Sequence, residues 1–508
     1  MQSMYITTPI YYVTDSPHIG HAYTTVVGDA IVRFYRLAGT DARYLTGTDE
    51  HGLKVARAAE EQGVTPQRLV DEVSTRYREA WSLLDVSNDD FIRTTEPRHI
   101  AGAQAFLQTL YDNGDVYLDR YEGLYCVSCE DYYKEDDLLE GGLCPIHHRA
   151  VEQFSEDNYF FRLSKYGDAL LAHIEANPDF VYPRTRRNEV VGFINQGLED
   201  FSISRATLDW GIPIPWDDTQ VTYVWVEALM NYATAVGYGQ DDELFATWWP
   251  AVHLVGKDIL RFHAVIWPAM LMAAGVDPPR QVAAHGWLLV GGEKMSKTTL
   301  NQIAPSELVD TFGVDGYRYH FLRDVTFGSD GNFSWEGMVD RYNADLANDL
   351  GNLANRVLNM VEQYREGTVP ALSGNTESDQ ALRAAAANAL TALGGFAGYR
   401  FGEALVDIWR LFGAANSYVE DNAPWRLAKN PEEADRLDEV LNALLEALRV
   451  GAILISPVMP GAAKRLWDQL GLAGAPDTAP YTETAVFGVF PAIPIARGNP
   501  LFPRIDED

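Results

Sequence analysis

Two histidines, His18 and His21, flank Ile19 and Gly20 near the start of the chain, and two lysines with the same spacing, Lys294 and Lys297, flank Met295 and Ser296 far downstream. The histidines follow Thr14-Asp15-Ser16-Pro17, with Pro17 where the first turn of a helix tolerates a missing N–H. On such a turn both imidazoles share a face with the free backbone N–H groups and the positive end of the helix dipole. Gly20 permits close approach there, and the set suits a phosphate of ATP. Two capping or core histidines are the bland alternative. The lysines follow Gly291-Gly292 on a loop expected to be mobile, where they can clamp a triphosphate and stabilise charge developing at the α-phosphorus as pyrophosphate leaves. By itself the run could be a solvated lysine pair.

A second constellation uses all three cysteines of the chain. Cys126 and Cys129 have CxxC spacing, and Cys144 with His147 has CxxH spacing, which can place three thiolates and one imidazole tetrahedrally around zinc. His148 is an alternative fourth ligand, and buried thiols without metal are the competing reading. A set closed by four protein ligands makes the zinc structural. Trp225, Ala228, Leu229 and Tyr232 share one helical face, as do Ile259 and His263, which together describe an apolar, aromatic pocket with two polar tips. Asp49 sits at a predicted strand end, where doubly wound sheets place ligands; it could instead cap the following helix. Asp258 could likewise cap its own helix.

These groups need an α/β frame. The 508 residues exceed what one core organises, and the 47% apolar content fills several units. Met4-Tyr5-Ile6, a helix from about Pro17 to Leu37, Ala42 to Leu45, a helix through Val55 and Ala59, and Phe91-Ile92-Arg93 have the rhythm of a parallel sheet. From about Val116 to Asp218 short aromatic strands and turns mark an inserted module. The βα rhythm resumes at Val252 to Gly256, a helix after Asp258, and Gln281 to Ala284. Beyond Arg341 the pattern is helical only: Leu346, Leu350, Leu353, Val357 and Val361 share a face, and similar faces at Leu405 to Phe412 and Leu437 to Ile455 imply a bundle.

The net charge of −32 argues against a generic polyanion binder, since affinity for phosphate backbones comes from Lys and Arg. We assign that charge to surface helices such as Glu432 to Glu446, which leaves room for a local neutral or basic track. The first nine residues carry no signal-like pattern, and no run reaches the ~18 apolar residues of a membrane span. A soluble, cytoplasmic protein with no membrane partner is expected.

Taken together, His18-Ile19-Gly20-His21 and Lys294-Met295-Ser296-Lys297, separated by an insertion, resemble the two signatures of class I aminoacyl-tRNA synthetases. Thr298 departs from the serine that commonly closes the second signature but keeps the hydroxyl. Pro9-Ile10-Tyr11-Tyr12, the run Tyr223 to Tyr232 and the run Gly256 to His263 resemble the methionine-specific family of that class. The resemblance implies that Tyr232 and the Ile10 backbone address a thioether sulfur, with Trp225 and Ile259 as walls and Tyr12, Ala228, Leu229 and His263 completing the pocket. It further implies that Asp49 holds the substrate ammonium group and that Gly256 and Asp258 contact the ribose. A flexible thioether suits such a pocket, because sulfur packs well against aromatic edges.

The same resemblance implies a zinc knuckle in the insertion and, at Asn352, Arg356 and Trp425, contacts to a CAU anticodon. Chemically, Trp425 can stack on an unpaired base while Asn352 and Arg356 bond base edges; a buried core tryptophan is the alternative. The expected chain is a Rossmann-type catalytic sheet in two halves (1–115 and 221–290), a zinc-knuckle insertion (116–220), the lysine loop with a stem-contact region (291–340), an all-α anticodon-binding bundle (341–490) and a tail (491–508). ATP with Mg2+, L-methionine, and initiator and elongator tRNA(Met) are the expected ligands of a monomer. Synthetases for Ile, Val, Leu or Cys, and a synthetase-like RNA-binding or adenylylating protein, are the competing functions. The insertion is short for an editing module, and the metal ligands fall outside the pocket.

Overall fold

The computed structural model describes residues 3–14, 16–127, 131–133, 135–146, 148–291, 293–294, 303–369 and 376–506. Its first stretch runs β1 (Met4–Tyr12), α1 (Ile19–Leu37), β2 (Ala42–Asp49), α2 (Leu53–Glu61), α3 (Pro66–Leu83), β3 (Asp90–Arg93) and α4 (Pro97–Asp112). The first helix begins two residues later than the expected position of Pro17: His18 is its N-cap, in extended conformation, and Pro17 lies outside. Between β2 and β3 there are two helices where the sequence pattern suggested one.

The insertion contains β4 (Val116–Cys126), β5 (Asp131–Tyr133), β6 (Glu152–Phe161), α5 (Gly167–Ala176), β7 (Val181–Tyr182), α6 (Arg184–Asn195), β8 (Phe201–Ser202), β9 (Ser204–Arg205), β10 (Pro213–Ile214) and β11 (Asp217–Thr222). Most of its strands form two small antiparallel sheets, β5-β4-β6-β8 and β10-β11-β9. One does not: β7 pairs in parallel with a strand of the main sheet, so the insertion is stitched into the frame it interrupts.

The second half supplies α7 (Val224–Thr234), α8 (Asp242–Trp248), β12 (Val252–Gly256), α9 (Trp267–Ala273) and β13 (Gln281–His285). The completed sheet has the order β3-β2-β1-β12-β13-β7, with all neighbours parallel. Tyr5, Ile6, Leu45, Leu254, Val255, Val282 and Ala283 are buried, the near-continuous apolar content of strands covered on both faces. Strand order reverses between β1 and β12, and the crevice beyond their carboxyl ends is where such sheets take ligands.

β14 (Leu288–Val290), β15 (Glu293–Lys294), α10 (Pro305–Asp324) and β16 (Gly331–Phe333) follow, and then helices only: α11 (Trp335–Arg341), a π-helical stretch over Tyr342–Gly351, α12 (Asn352–Arg365), α13 (Glu377–Leu393), α14 (Phe401–Asn422), α15 (Pro424–Leu427), α16 (Ala434–Ile455) and α17 (Pro460–Gln469). Leu346, Leu350, Leu353, Val357 and Val361 are all buried, as their spacing required. Arg318 of α10 joins bundle to sheet from full burial: Nη2 donates to Asp29 Oδ2 at 2.5 Å, Nε to the Val458 carbonyl at 2.7 Å and Nη1 to the Leu84 carbonyl at 3.1 Å.

The assignment of Glu432 to Glu446 to a charged surface helix fails at its end. Helix α16 is buried from Val440 to Ile455, and Glu446 is fully enclosed. Its carboxylate accepts from Arg449 Nε at 2.6 Å and from the amides of Gly488 and Val489, so pairing offsets the desolvation that keeps most carboxylates outside. The tail packs along the bundle, with Ile495 N–H donating to the Gly367 carbonyl and Leu501 and Phe502 buried. No helix of the described residues is long and apolar enough to cross a membrane.

Candidate active site

The N-terminus of α1 opens on the crevice. The Gly20 amide donates to His18 Nδ1 at 3.1 Å, so a neutral His18 carries its proton on Nε2, the nitrogen left to donate outward. The two imidazoles stack, with centroids 3.7 Å apart. His21 lies against Tyr11 and Tyr77, and its Nδ1 stands 3.4 Å from the Tyr77 hydroxyl. Burial, followed by the neighbouring His18 and Lys54, pushes the His21 pKa well below its ordinary value, which makes it a neutral donor at physiological pH. The Ile19 amide donates to the Ile303 carbonyl at 3.0 Å. The chain just beyond the lysine signature is thereby brought to the helix end that carries the histidines.

Of that signature, Lys294 is described in its backbone, paired with Leu289 across the β14–β15 hairpin. Ser296, Lys297 and Thr298 lie outside the described residues. Gly256 ends β12 beside His285 of β13, and a Cβ there would stand 2.5 Å from Asp258 Oδ1. The glycine leaves room for that carboxylate, while its φ of −68° is one any residue adopts. Asp258 lies within that turn, whose N-cap is Gly256, so the capping alternative does not hold.

The residues expected to line the thioether pocket come together from α7 and the Ile259–His263 segment. His263 Nδ1 stands 3.0 Å from the Ile259 carbonyl and Nε2 stands 2.7 Å from the Tyr232 hydroxyl. A neutral ring donates through Nδ1 and accepts through Nε2, so the Tyr232 proton is directed to His263. Burial depresses the His263 pKa to about 4, which keeps the ring neutral. Trp225 stacks on Phe262 at 4.2 Å and meets Tyr12 edge-on at 6.0 Å, while Ala228 and Leu229 are buried on the same helix. The Tyr232 hydroxyl, expected with the Ile10 backbone to address a sulfur, is thus bonded to His263. Ile10 and Tyr12 lie on β1, and Tyr12 is in register with Asp49, the last residue of β2. Asp49 is 2% exposed, and the N-cap of α2 is Gly52, which excludes the capping alternative for Asp49.

One pairing here escaped the sequence. His51 Nδ1 and Glu227 Oε1 meet at 2.7 Å, both buried, and join the Asp49 segment to α7. Desolvation lowers the His51 pKa, but the Glu227 carboxylate outweighs it and the net shift is upward. The partners lie 176 positions apart, and no local pattern links them.

In the insertion, Cys126 and Cys144 are buried, and the Ile146 amide donates to Cys144 Sγ at 3.4 Å. Cys129 and His147 lie outside the described residues, and His148 is exposed at a positive φ of 52°. Among the described residues no group of three His, Cys, Asp or Glu side chains is placed to hold a metal. In the bundle, Asn352 is exposed, Arg356 pairs with Glu420 at 2.7 Å, and Trp425, 36% exposed, is turned outward after Ala423 at a φ of 43°. The buried-core alternative for Trp425 is set aside.

The family described as tRNA synthetases class I (M) matches residues 4–154 and 139–358, and the chain belongs to it. Curated relatives narrow the comparison. The chain is 50% identical to the methionine–tRNA ligase of Streptomyces coelicolor, over 100% of this chain and 97% of that one, and 45% identical to that of Bacillus subtilis, over 100% and 78%. Among solved structures, methionyl-tRNA synthetase of Mycobacterium tuberculosis in complex with methionyl-adenylate superposes with a TM-score of 0.95 at 44% identity, covering 99% of this chain and all of that one.

Proposed function

We infer that the chain is an ATP-dependent methionine–tRNA ligase. It activates L-methionine to methionyl-AMP with release of pyrophosphate and transfers the methionyl group to the 3′ end of tRNA(Met). The observation that carries this reading is the bond from Ile19 N–H to the Ile303 carbonyl, which brings the chain just beyond the lysine signature to the helix N-terminus that carries the histidines.

In the reaction the methionine carboxylate attacks the α-phosphorus of ATP and pyrophosphate leaves, with no side-chain nucleophile. His18 and His21 donate to phosphate oxygens, His21 as a neutral imidazole, and Lys294 and Lys297, with Ser296, stabilise the charge that grows on the transferring group. Gly20 permits close approach of the phosphates, and Gly256 and Asp258 hold the ribose. Asp49 holds the methionine ammonium group. Tyr232, held by His263, and the Ile10 backbone address the thioether sulfur, Trp225 and Ile259 wall the pocket, and Tyr12, Ala228, Leu229 and His263 complete it. Mg2+ accompanies ATP.

Cys126, Cys129, Cys144 and His147 would hold a zinc ion, whose contribution is to fix the fold of the knuckle; the buried sulfurs and the amide bonded to Cys144 fit that role. Residues 341–490 carry the anticodon site at Asn352, Arg356 and Trp425. The catalytic halves (1–115 and 221–290), the insertion (116–220) and the linking region (291–340) serve one monomer that acts in the cytoplasm on both initiator and elongator tRNA(Met).

Methionine-dependent exchange of pyrophosphate into ATP tests the activity. Methionine should stimulate it and isoleucine, valine, leucine and cysteine should not; stimulation by another amino acid in its place overturns the assignment. Lys297→Ala should slow adenylation by roughly two orders of magnitude with methionine affinity little changed.

A further inference from the structure

Lys257 lies between the two residues assigned to the ribose, yet its own side chain turns to a distant segment. Its Nζ donates to both carboxylate oxygens of Asp330, at 2.6 and 2.8 Å, and stands 4.0 Å from the centroid of the Trp287 indole. Asp330 Oδ1 also accepts from the Trp287 amide at 2.8 Å, and the Gly331 amide donates to the Trp287 carbonyl at 2.9 Å. This approach depends on Gly286, where a Cβ would stand 2.3 Å from the Ser329 carbonyl oxygen. From Trp287 the chain enters β14, which pairs with β16 on one side and on the other with β15, where Lys294 opens the lysine signature.

Lys257 is 17% exposed and Asp330 38%, so the pair is partly withdrawn from water. The two-oxygen contact and the indole face make it stronger than an isolated surface ion pair. The hydrogen bond from Lys257 holds the Asp330 carboxyl below its usual range.

We propose that Lys257 and Asp330 are positioning residues for ATP: their pair fixes the spacing between the ribose turn at Gly256–Asp258 and the β14–β15 hairpin on which Lys294 stands. The inference rests on the assignment of Gly256, Asp258 and Lys294 to ATP. The methionine pocket is held through Tyr232, His263 and the stacked Trp225 and Phe262, and shares with the ribose turn only Ile259, whose carbonyl accepts from His263. Losing the pair therefore weakens ATP binding selectively.

The test is pyrophosphate exchange by the full chain, with KM determined for each substrate. Lys257→Met and Asp330→Asn should each raise the KM for ATP roughly fivefold to tenfold. The KM for methionine should stay within about twofold, and the double variant should be no worse than either single one, as for partners in one interaction. Lys257→Arg should recover most of the loss, and melting temperatures should be unchanged. An unaltered KM for ATP, equal rises for both substrates, or additive losses would overturn the proposal. Should Lys257→Met fail to fold, Asp330→Asn at the more exposed position decides by the same criteria. Asp258→Asn separates the proposal from the reading beneath it. A rise for Lys257→Met with none for Asp258→Asn removes Asp258 from ribose binding and leaves the pair standing. The reverse keeps the ribose reading and overturns the pair.

Discussion

The pocket around Tyr232 and the outward face of the bundle around Trp425 handle polarity in opposite ways. In the pocket, the polar tips are buried and bonded to one another, and desolvation fixes their protonation. On the bundle, Asn352 is exposed, Arg356 is partly exposed in its pair with Glu420, and Trp425 is half-turned to solvent. On the proposed reading, the thioether is chosen by a site in which Tyr232 and His263 are already bonded to each other. On the same reading an RNA loop is met by groups that remain close to water. Changes in the first region should therefore disturb adenylation and stability together, and changes in the second should disturb only the tRNA step.

The largest expected effect is at the phosphate end. His21→Ala removes a neutral donor from the N-terminus of α1 and should slow pyrophosphate exchange by roughly two to three orders of magnitude. A drop of less than about fivefold would take His21 out of the chemistry. Trp425→Ala should lower kcat/KM for charging of tRNA(Met) by roughly tenfold to a hundredfold, in line with a lost base stack, while exchange and melting temperature hold. A parallel loss of exchange would show that the two regions are not separate. Tyr232→Phe leaves the buried His263 Nε2 without its donor. It should raise the KM for methionine about tenfold and cost about 1–3 kcal/mol of stability, read from kinetics and denaturant melts.

The smallest effect concerns pH. The folded His263 titrates at about 4 against an ordinary 6.5, and His99, buried against Thr234, at about 3. As pH falls from 6.5 the unfolded chain takes up these protons first. The stability they contribute is thus full above about pH 6.5 and lost toward pH 4, by about 3 kcal/mol for His263. The KM for methionine should stay flat from neutral pH to about 5.5, since the folded ring does not titrate there. A titration of that KM near pH 6.5 would show that the ring is solvated.

The sequence made legible what is local and periodic. His18, Gly20 and His21 declared a helix start, and the Leu346 to Val361 face declared a bundle, because capping and helical spacing act within a few residues. The pocket was legible through the shared face of Trp225 to Tyr232. It did not reveal that Tyr232 would donate to His263, a contact between residues 31 positions apart on separate elements, whose direction burial and the Ile259 carbonyl then fix. His51–Glu227 and Lys257–Asp330 were invisible because the sheet brings their partners together across long stretches of chain. Glu446 misled for the converse reason: a charge in a charged-looking run was read as solvated, and only the Gly488–Val489 amides show what it serves.

The two-residue strand Val181–Tyr182 has a consequence beyond joining the insertion to the frame. It covers the outer edge of β13, where Tyr182 packs 4.8 Å from Tyr399 and Tyr399 in turn bonds Gln281. An uncovered edge of a parallel sheet offers a row of unpaired amides to any extended chain, including a second copy of itself. The inserted module thus serves as a guard against aggregation, and a shortened protein lacking it would be threatened in solubility before it was threatened in catalysis.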